Sequence, residues 1–277
     1  MGLRIGTNIA SIAAQRSLAG SSREMNKSMG QLSSGSRITK SSDDAAGLSI
    51  SENLKSHIRS YQQAGRNAND GISMVQVAEG GLNEISNIIT RFRELGVQAA
   101  SDTVGDVERG FIDKEVQQLK NEAERIARTT RFGKTNLLDG SGGEFSFQID
   151  INNNDFNDRI SYNASEQDAT TANLGLEGLD FTSKDGARSA LDTLDDAQKQ
   201  VNGFRANLGA IQNRMISTSD NINVAVENLS AANSRIRDTD IAQSSADLAK
   251  NQILQTATTS VLAQANTAPQ QALKLVG

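Results

Sequence analysis

The sequence predicts a mainly α protein, a long-helix coiled-coil bundle carrying one small β-hairpin. Three observations lead there. Leu194, Val201, Leu208, Met215, Ile222, Leu229 and Ile236 are apolar residues spaced seven apart, and a second column, Ala197, Phe204, Ile211, Thr218, Ala225 and Ala232, follows three behind. Such a pattern draws one seam along a helix, and the seam needs another helix to cover it. The second observation is composition. The 277 residues include one proline, so helices can run unbroken, and eight phenylalanines, two tyrosines and no tryptophan, too little bulk for a thick globular core. The third is a short period-two stretch, Phe145, Phe147, Ile149 and Ile151, which reads as a strand with one buried face.

The elements follow in order. Ile5, Ile9 and Ile12, then Leu18, Met25, Met29 and Leu32, mark an amphipathic helix that ends at the polar run Leu32-Ser-Ser-Gly-Ser36. Ser41-Ser-Asp-Asp44 reads as a helix start, with Ser41 and Asp44 at capping-box spacing. The next helix is long: Leu54, Tyr61, Ala68, Val75, Leu82 and Ile89 are again seven apart. Gly65, Gly71, Gly80 and Gly81 interrupt its propensity, as surface glycines or as points of close helix approach. Ile112, Val116, Leu119, Ala123 and Ile126 give a third helix from Val107 to Arg128, with Gly133 as its expected C-cap. Past Gly140-Ser-Gly-Gly143 and the strand, Asn152-Asn-Asn-Asp155 is turn chemistry, and Arg159 to Tyr162 returns as a second strand. Residues 163–186 read as small, polar and irregular. Helix resumes at about Ser189, and the roughly 48 residues to Ile236 would extend about 70 Å. From Ile241, Leu248, Leu254, Ala257, Val261, Leu262 and Ala265 mark a last helix. The two end helices bury too little by themselves to offset their ordering entropy, so they are expected to order only when neighbours cover them.

Function classes narrow quickly. A net charge of −5 argues against a nucleic-acid binder. No segment has the apolar length of a membrane span, and Met1-Gly-Leu-Arg-Ile-Gly-Thr-Asn8 has no h-region of a Sec-type signal peptide. His57 is the only histidine, which removes catalytic triads and multi-histidine metal sites. Asp43-Asp44 and Asp195-Asp196 read as acids in first helical turns rather than cation ligands. Gly133-Lys-Thr135 resembles the end of a phosphate loop, but residue 128 is arginine where its first glycine would stand. Asn26, Asn163 and Asn228 begin short glycosylation-type triplets that carry little weight. No catalytic, cofactor or metal site emerges, and the chain reads as an assembling structural protein rather than an enzyme.

Several blocks are more specific. Leu32-Ser-Ser-Gly-Ser-Arg-Ile38, Asp43-Asp-Ala-Ala-Gly47, Arg66-Asn-Ala-Asn-Asp-Gly-Ile72 and Arg91-Phe-Arg-Glu-Leu-Gly-Val-Gln98 resemble the N-terminal region of bacterial flagellins. Asn251-Gln-Ile-Leu-Gln255, Leu262-Ala-Gln-Ala-Asn266, Pro269 and Leu273 resemble the family's C-terminal end. The resemblance implies paired terminal helices in an inner-core domain of residues 1–42 and 238–277. Residues 43–237 would form the long-helix bundle, with the hairpin near 144–162, and the Leu54–Ile89 helix would cover the Leu194–Ile236 ladder. It implies a minimal form without the large variable outer domains.

By the same resemblance the chain is exported unfolded through the flagellar type III route and polymerises at the filament tip with identical or paralogous subunits. Ile5, Ile9, Ile12, Leu248, Leu254, Val261 and Leu262 would line the polymerisation helices. A secretion chaperone would bind the C-terminal segment, and filament cap and hook-junction proteins would be partners. Arg91, Leu95 and Glu115 match positions that in many flagellins contact an animal Toll-like receptor, and the same surface packs between subunits. Rival readings are a hook–filament junction protein, a periplasmic filament core protein and, from a different class, a chemoreceptor-like signalling rod.

Overall fold

The computed structural model describes residues 7–276, with side chains for 7–267. Five helices are present among them: α1 (Ile9–Ser34), α2 (Ala45–Ala99), α3 (Asp106–Thr129), α4 (Lys184–Arg237) and α5 (Ile241–Val276). Four strands lie between α3 and α4: β1 (Arg131–Phe132), β2 (Thr135–Asn136), β3 (Glu144–Gln148) and β4 (Arg159–Asn163). The described chain forms two compact units, one from residues up to His57 and from Asn228 onward, the other Ile58–Glu227. The sequence reading set its boundaries at helix ends, whereas these units divide inside α2 and α4.

In the Ile58–Glu227 unit the core is the seam between α2 and α4. Ala68, Val75, Leu82, Ile89 and, three residues on and nearly a full turn along the same face, Ala78, Ile85 and Phe92 are buried on α2, facing Leu194, Val201, Leu208 and Met215 on α4. The helices run antiparallel: Gly65 lies against Ile222 and Gly71 against Met215, while the Gln198 amide donates to the Ser86 hydroxyl at 2.8 Å further along. The ladder is therefore a real seam, and its partner is the expected one. Along α4 the burial is complete from Leu194 to Ile222 and only partial at Leu229 and Ile236.

The third helix packs on the same core through Ile112, Val116, Ala123 and Ala127. Its junction with α2 is tied by Arg109, a buried cation. The guanidinium donates to the Ala99 carbonyl at 2.9 Å, the Ser101 carbonyl at 3.1 Å and the Asp106 carboxylate at 2.7 Å. It thus satisfies carbonyls left open where α2 ends, with the favourable sign for a helix C-terminus.

Three local expectations are corrected. Gly133 does not cap α3. Thr130 does, in an extended conformation, and Gly133 (φ 62°) is the first of the two residues turning between β1 and β2, a hairpin the sequence reading did not anticipate. Asp44 rather than Ser41 caps α2, its carboxylate accepting the Gly47 N–H at 2.8 Å. Asp43 turns back to accept from Thr39 and Lys40, and those backbone and hydroxyl donors hold it below the ordinary carboxylate value. Finally, α4 starts at Lys184, before Ser189, because the Ser183 hydroxyl accepts the Gly186 N–H at 3.1 Å.

The β3–β4 hairpin pairs Phe145 with Tyr162 and Phe147 with Ile160. Ile149 is buried beyond the strand end, packed with Ala68 and Met215, which fastens the hairpin to the seam. Tyr162 is buried, and desolvation pushes its hydroxyl up to about 12. The irregular stretch 163–183 proves to be part of the core: Leu174, Leu176, Leu179 and Phe181 are buried. Glu124 of α3 pins it, accepting from the Thr171 N–H and hydroxyl, both at 2.9 Å.

Two predictions follow from the packing. A Cβ on Gly81 would lie 2.6 Å from Thr130 Oγ1 and 2.7 Å from Leu138 Cδ1, whereas one on Gly80 meets nothing. Gly81→Ala should destabilise by about 1–3 kcal/mol, and Gly80→Ala should stabilise by about 0.5–1 kcal/mol, as read by urea unfolding. Burial raises the Glu124 pKa, but the Thr171 N–H, Arg128 and the Thr171 hydroxyl outweigh it and leave it below 4.5. A carboxylate with a depressed folded value stabilises fully above its unfolded pKa and loses that contribution as pH falls through the folded one. Glu124→Gln should therefore be less stable than the parent at pH 7, and the gap should close in acid below pH ~4. A pH-independent gap in unfolding midpoints would sink this account.

Candidate functional site

Among the described residues, no group of three or more His, Cys, Asp or Glu side chains could hold a metal ion, and no helix is long and apolar enough to cross a membrane. The features that demand an explanation are surfaces. The first is the pair formed by α1 and α5. Asn8 caps α1, accepting the Ser11 N–H at 3.0 Å, and Gly35 ends it at φ 68°. The two helices pack antiparallel: the Asn8 amide reaches the Ala265 carbonyl at 2.8 Å and the Ser11 hydroxyl reaches Asn266 Oδ1 at 2.9 Å, while further along Gln255 lies opposite Ser22.

This pair leaves several of its larger apolar side chains outside. Ile9 is 64% exposed and Ile253 is 70% exposed; Ile12, Met29, Ile241, Leu254 and Val261 are also exposed. Leu248 and Leu262 are half-buried. Ile5 lies outside the described residues. Apolar side chains standing in water along both helices are what a surface awaiting cover looks like. Sequence reasoning selected most of these residues but missed Ile253, whose position beside Leu254 in Asn251-Gln-Ile-Leu-Gln255 breaks any single-stripe count.

The second surface is the outer side of α2 and α3. The Arg91 guanidinium donates to Glu115 Oε1 through Nε at 3.0 Å and Nη2 at 2.8 Å, and to Glu94 Oε2 through Nη1 at 2.8 Å. All three side chains are about half exposed, so the cluster is screened and of small energetic weight. Two of the residues singled out from sequence, Arg91 and Glu115, are thus brought together. Leu95 is not on that surface: it is 2% exposed and belongs to the core. Sequence reasoning missed Phe111, one helical turn before Glu115 on α3. It stands 63% exposed with the Lys114 ammonium 5.6 Å from its ring, and Val107 lies exposed a turn earlier. Their signal was available: both fall outside the stripe Ile112, Val116, Ala123.

These surfaces acquire meaning from comparison with known proteins. The bacterial flagellin N-terminal helical region matches residues 5–142, and the bacterial flagellin C-terminal helical region matches residues 191–276. A flagellin of Halalkalibacterium halodurans is 39% identical over 272 residues, covering 98% of this chain and 99% of that one. The flagellar filament core protein flaB2 of Brachyspira hyodysenteriae is 41% identical over 285 residues, with coverage of 98% and 99%. In three dimensions, the crystal structure of Bacillus cereus flagellin superimposes with a TM-score of 0.51 at 29% identity, covering 57% of this chain and 88% of that one. The chain belongs to the bacterial flagellin family, as a short member without a large outer domain.

Proposed function

We propose that this chain is a structural subunit that polymerises into a bacterial flagellar filament and serves swimming motility. The observation that carries the reading is the α1–α5 pair, whose exposed Ile9, Ile12, Ile253, Leu254 and Val261 are apolar surface that a neighbouring subunit would cover. Family membership and the names of the relatives support it. In this reading residues 1–42 and 238–277 make the inner-core domain and residues 43–237 the surrounding bundle, and the place of the protein is the flagellum. Burying exposed apolar area against like copies stabilises assembly in proportion to the area removed from water, so each subunit adds many modest contacts rather than one strong one. The end helices gain order as they dock, because isolated helices with so little buried surface do not offset their chain entropy.

The finer assignments belong to the same proposal. The chain is exported unfolded by the flagellar type III route, its C-terminal segment is received by a secretion chaperone, and it is added at the tip under a cap protein, beyond hook-junction proteins. The Arg91–Glu115 pair serves subunit packing and contact with an animal Toll-like receptor, while Leu95 lies in the core of the same unit and not on that surface.

Two measurements test this. Precipitant-induced assembly followed by electron microscopy should give filaments from the parent chain, and Ile253→Asp should assemble at least tenfold more slowly, as expected for a charge placed in an apolar contact, with unchanged helical content. A parent chain that remains a monodisperse helical dimer would overturn the filament reading. For the receptor, Arg91→Ala should lower signalling in a Toll-like receptor reporter assay; undiminished signalling would remove that assignment while leaving the filament reading in place.

A further inference from the structure

Beside half-buried Leu18, Met25 and Leu32 of α1 and Leu248 and Leu262 of α5, the fully buried positions of the α1–α5 pair are small side chains. Ala10, Ala13, Ala14 and Ser17 line a shallow groove with Ala257, Thr258 and Val261. Among the described side chains, α1 buries only Ser11, Ala14 and Ser28, and α5 only Ser244. A helix pair held by large interlocking residues resists sliding, because each knob has its own hole. A pair whose buried positions are mostly alanine and serine, with only a few half-buried large residues, resists it less. A slip of one turn, about 5.4 Å, exchanges mostly small residues along the groove, with Val261 and Leu262 moving to the places of Ala265 and Asn266, so packing opposes it only modestly. Packing alone leaves the register of α1 against α5 weakly determined.

Polar contacts must then supply the register, and the densest set lies where α1 ends and α5 is about to begin. Gly35, at φ 68°, turns the chain out of α1, and Ser36 pairs with Asp238 in a short antiparallel bridge. The Arg37 N–H donates to the Arg237 carbonyl at 2.6 Å, and the Thr239 N–H donates to the Gly35 carbonyl at 3.0 Å. The Arg37 guanidinium adds a fork onto the Ile236 carbonyl, through Nη2 at 2.8 Å and Nε at 3.3 Å. That places a cation on the last turn of α4, where the helix dipole favours it. The Gln31 amide closes the arrangement by donating to the Arg37 carbonyl at 2.8 Å. The Arg237 side chain is ion-paired with Glu52 of α2. The joined segments are 199 residues apart in the chain, yet together they hold the end of α1 against the start of α5.

We propose that this bridge is a register clasp for the terminal helices, with Arg37 as its positioning residue. By locking Gly35–Arg37 onto Ile236–Thr239 it decides which turn of α5 meets which turn of α1. The distal contacts Asn8–Ala265 and Ser11–Asn266 form as a consequence, since they are reached only from the register the clasp selects. The device stands independently of any partner and of the filament reading, because every residue in it belongs to one chain.

The absence of native cysteine makes the test clean. In the full-length chain, Ser11→Cys with Asn266→Cys reports the observed register, since those side chains meet at 2.9 Å. Ser11→Cys with Leu262→Cys reports a slip of about one turn. Each pair is oxidised under mild conditions with and without Arg37→Ala. The parent should favour the 266 cross-link, and Arg37→Ala should lower the ratio of the 266 to the 262 product by about tenfold, the factor expected for losing one charge-assisted hydrogen bond. Arg37→Lys, which keeps the charge and loses the fork, should give an intermediate ratio. Lys40→Ala, an equal charge change outside the clasp, should leave it unchanged. An unaltered ratio in Arg37→Ala, an equal drop in Lys40→Ala, or no preference in the parent would overturn the proposal. Loss of amide exchange protection at Val75–Phe92 in Arg37→Ala would also overturn it, because the residue would then be supporting the whole chain rather than a register.

Discussion

The close antiparallel approach of α2 and α4 is the constraint on which the Ile58–Glu227 unit depends. It is close at Gly71, which has no room for a side chain. A Cβ at Gly71 would stand 2.8 Å from the end of the Met215 side chain and 3.3 Å from the Phe147 ring. One missing carbon thus admits both the opposing helix and the β3–β4 hairpin. The helical propensity lost at glycine, about 1 kcal/mol, is offset by burial of Met215, Ala68, Ile149 and Ile160 in one cluster. The same logic appears at Gly81, where Thr130 and Leu138 press in from the end of α3 and the segment after it. Seam, hairpin and third helix are therefore one packing problem with one solution.

Around that seam, single polar residues decide how connections run. Arg109 gathers carbonyls at the end of α2 and so sets how α3 departs. Glu124 does the equivalent for the long connection before α4, holding Thr171 through two hydrogen bonds and leaving Leu174, Leu176, Leu179 and Phe181 to fill the core. A segment with no periodic pattern can be as well packed as a helix when its turns are satisfied locally. The Asp168 carboxylate accepting from Thr170, and Asp180 accepting from Thr182, are turns of that kind.

The unit formed by the chain ends follows another rule. The fully buried positions of its helix pair are small and polar, many of its large apolar side chains face outward, and hydrogen bonds near Gly35 and Thr239 tie its two helices together. This division of labour suits a family whose members build filaments: one unit stable by its own core, another whose apolar surface is spent on neighbours.

Much was legible in the sequence because periodicity records burial on one face. The ladder from Leu194 to Ile222, the column from Ala68 to Ile89, the Ile112–Ala123 stripe and the alternation at Phe145 and Phe147 all correspond to buried or half-buried faces. The motif blocks at Leu32–Ile38, Asp43–Gly47 and Arg66–Ile72 carried the family, which periodicity alone does not distinguish from any other helical rod. Contacts without a period were left to tertiary structure: the role of Gly133 in a hairpin, the burial of Leu95 in the core, the core residues of 163–183 and the pairing of Ser36 with Asp238. The sequence by itself determined which faces are apolar, since that is a property of residues near one another in the chain. Which glycine must be bare, which acid caps a helix and which turn of one end meets the other depended on atoms brought together from distant positions, and only the packed structure fixes those.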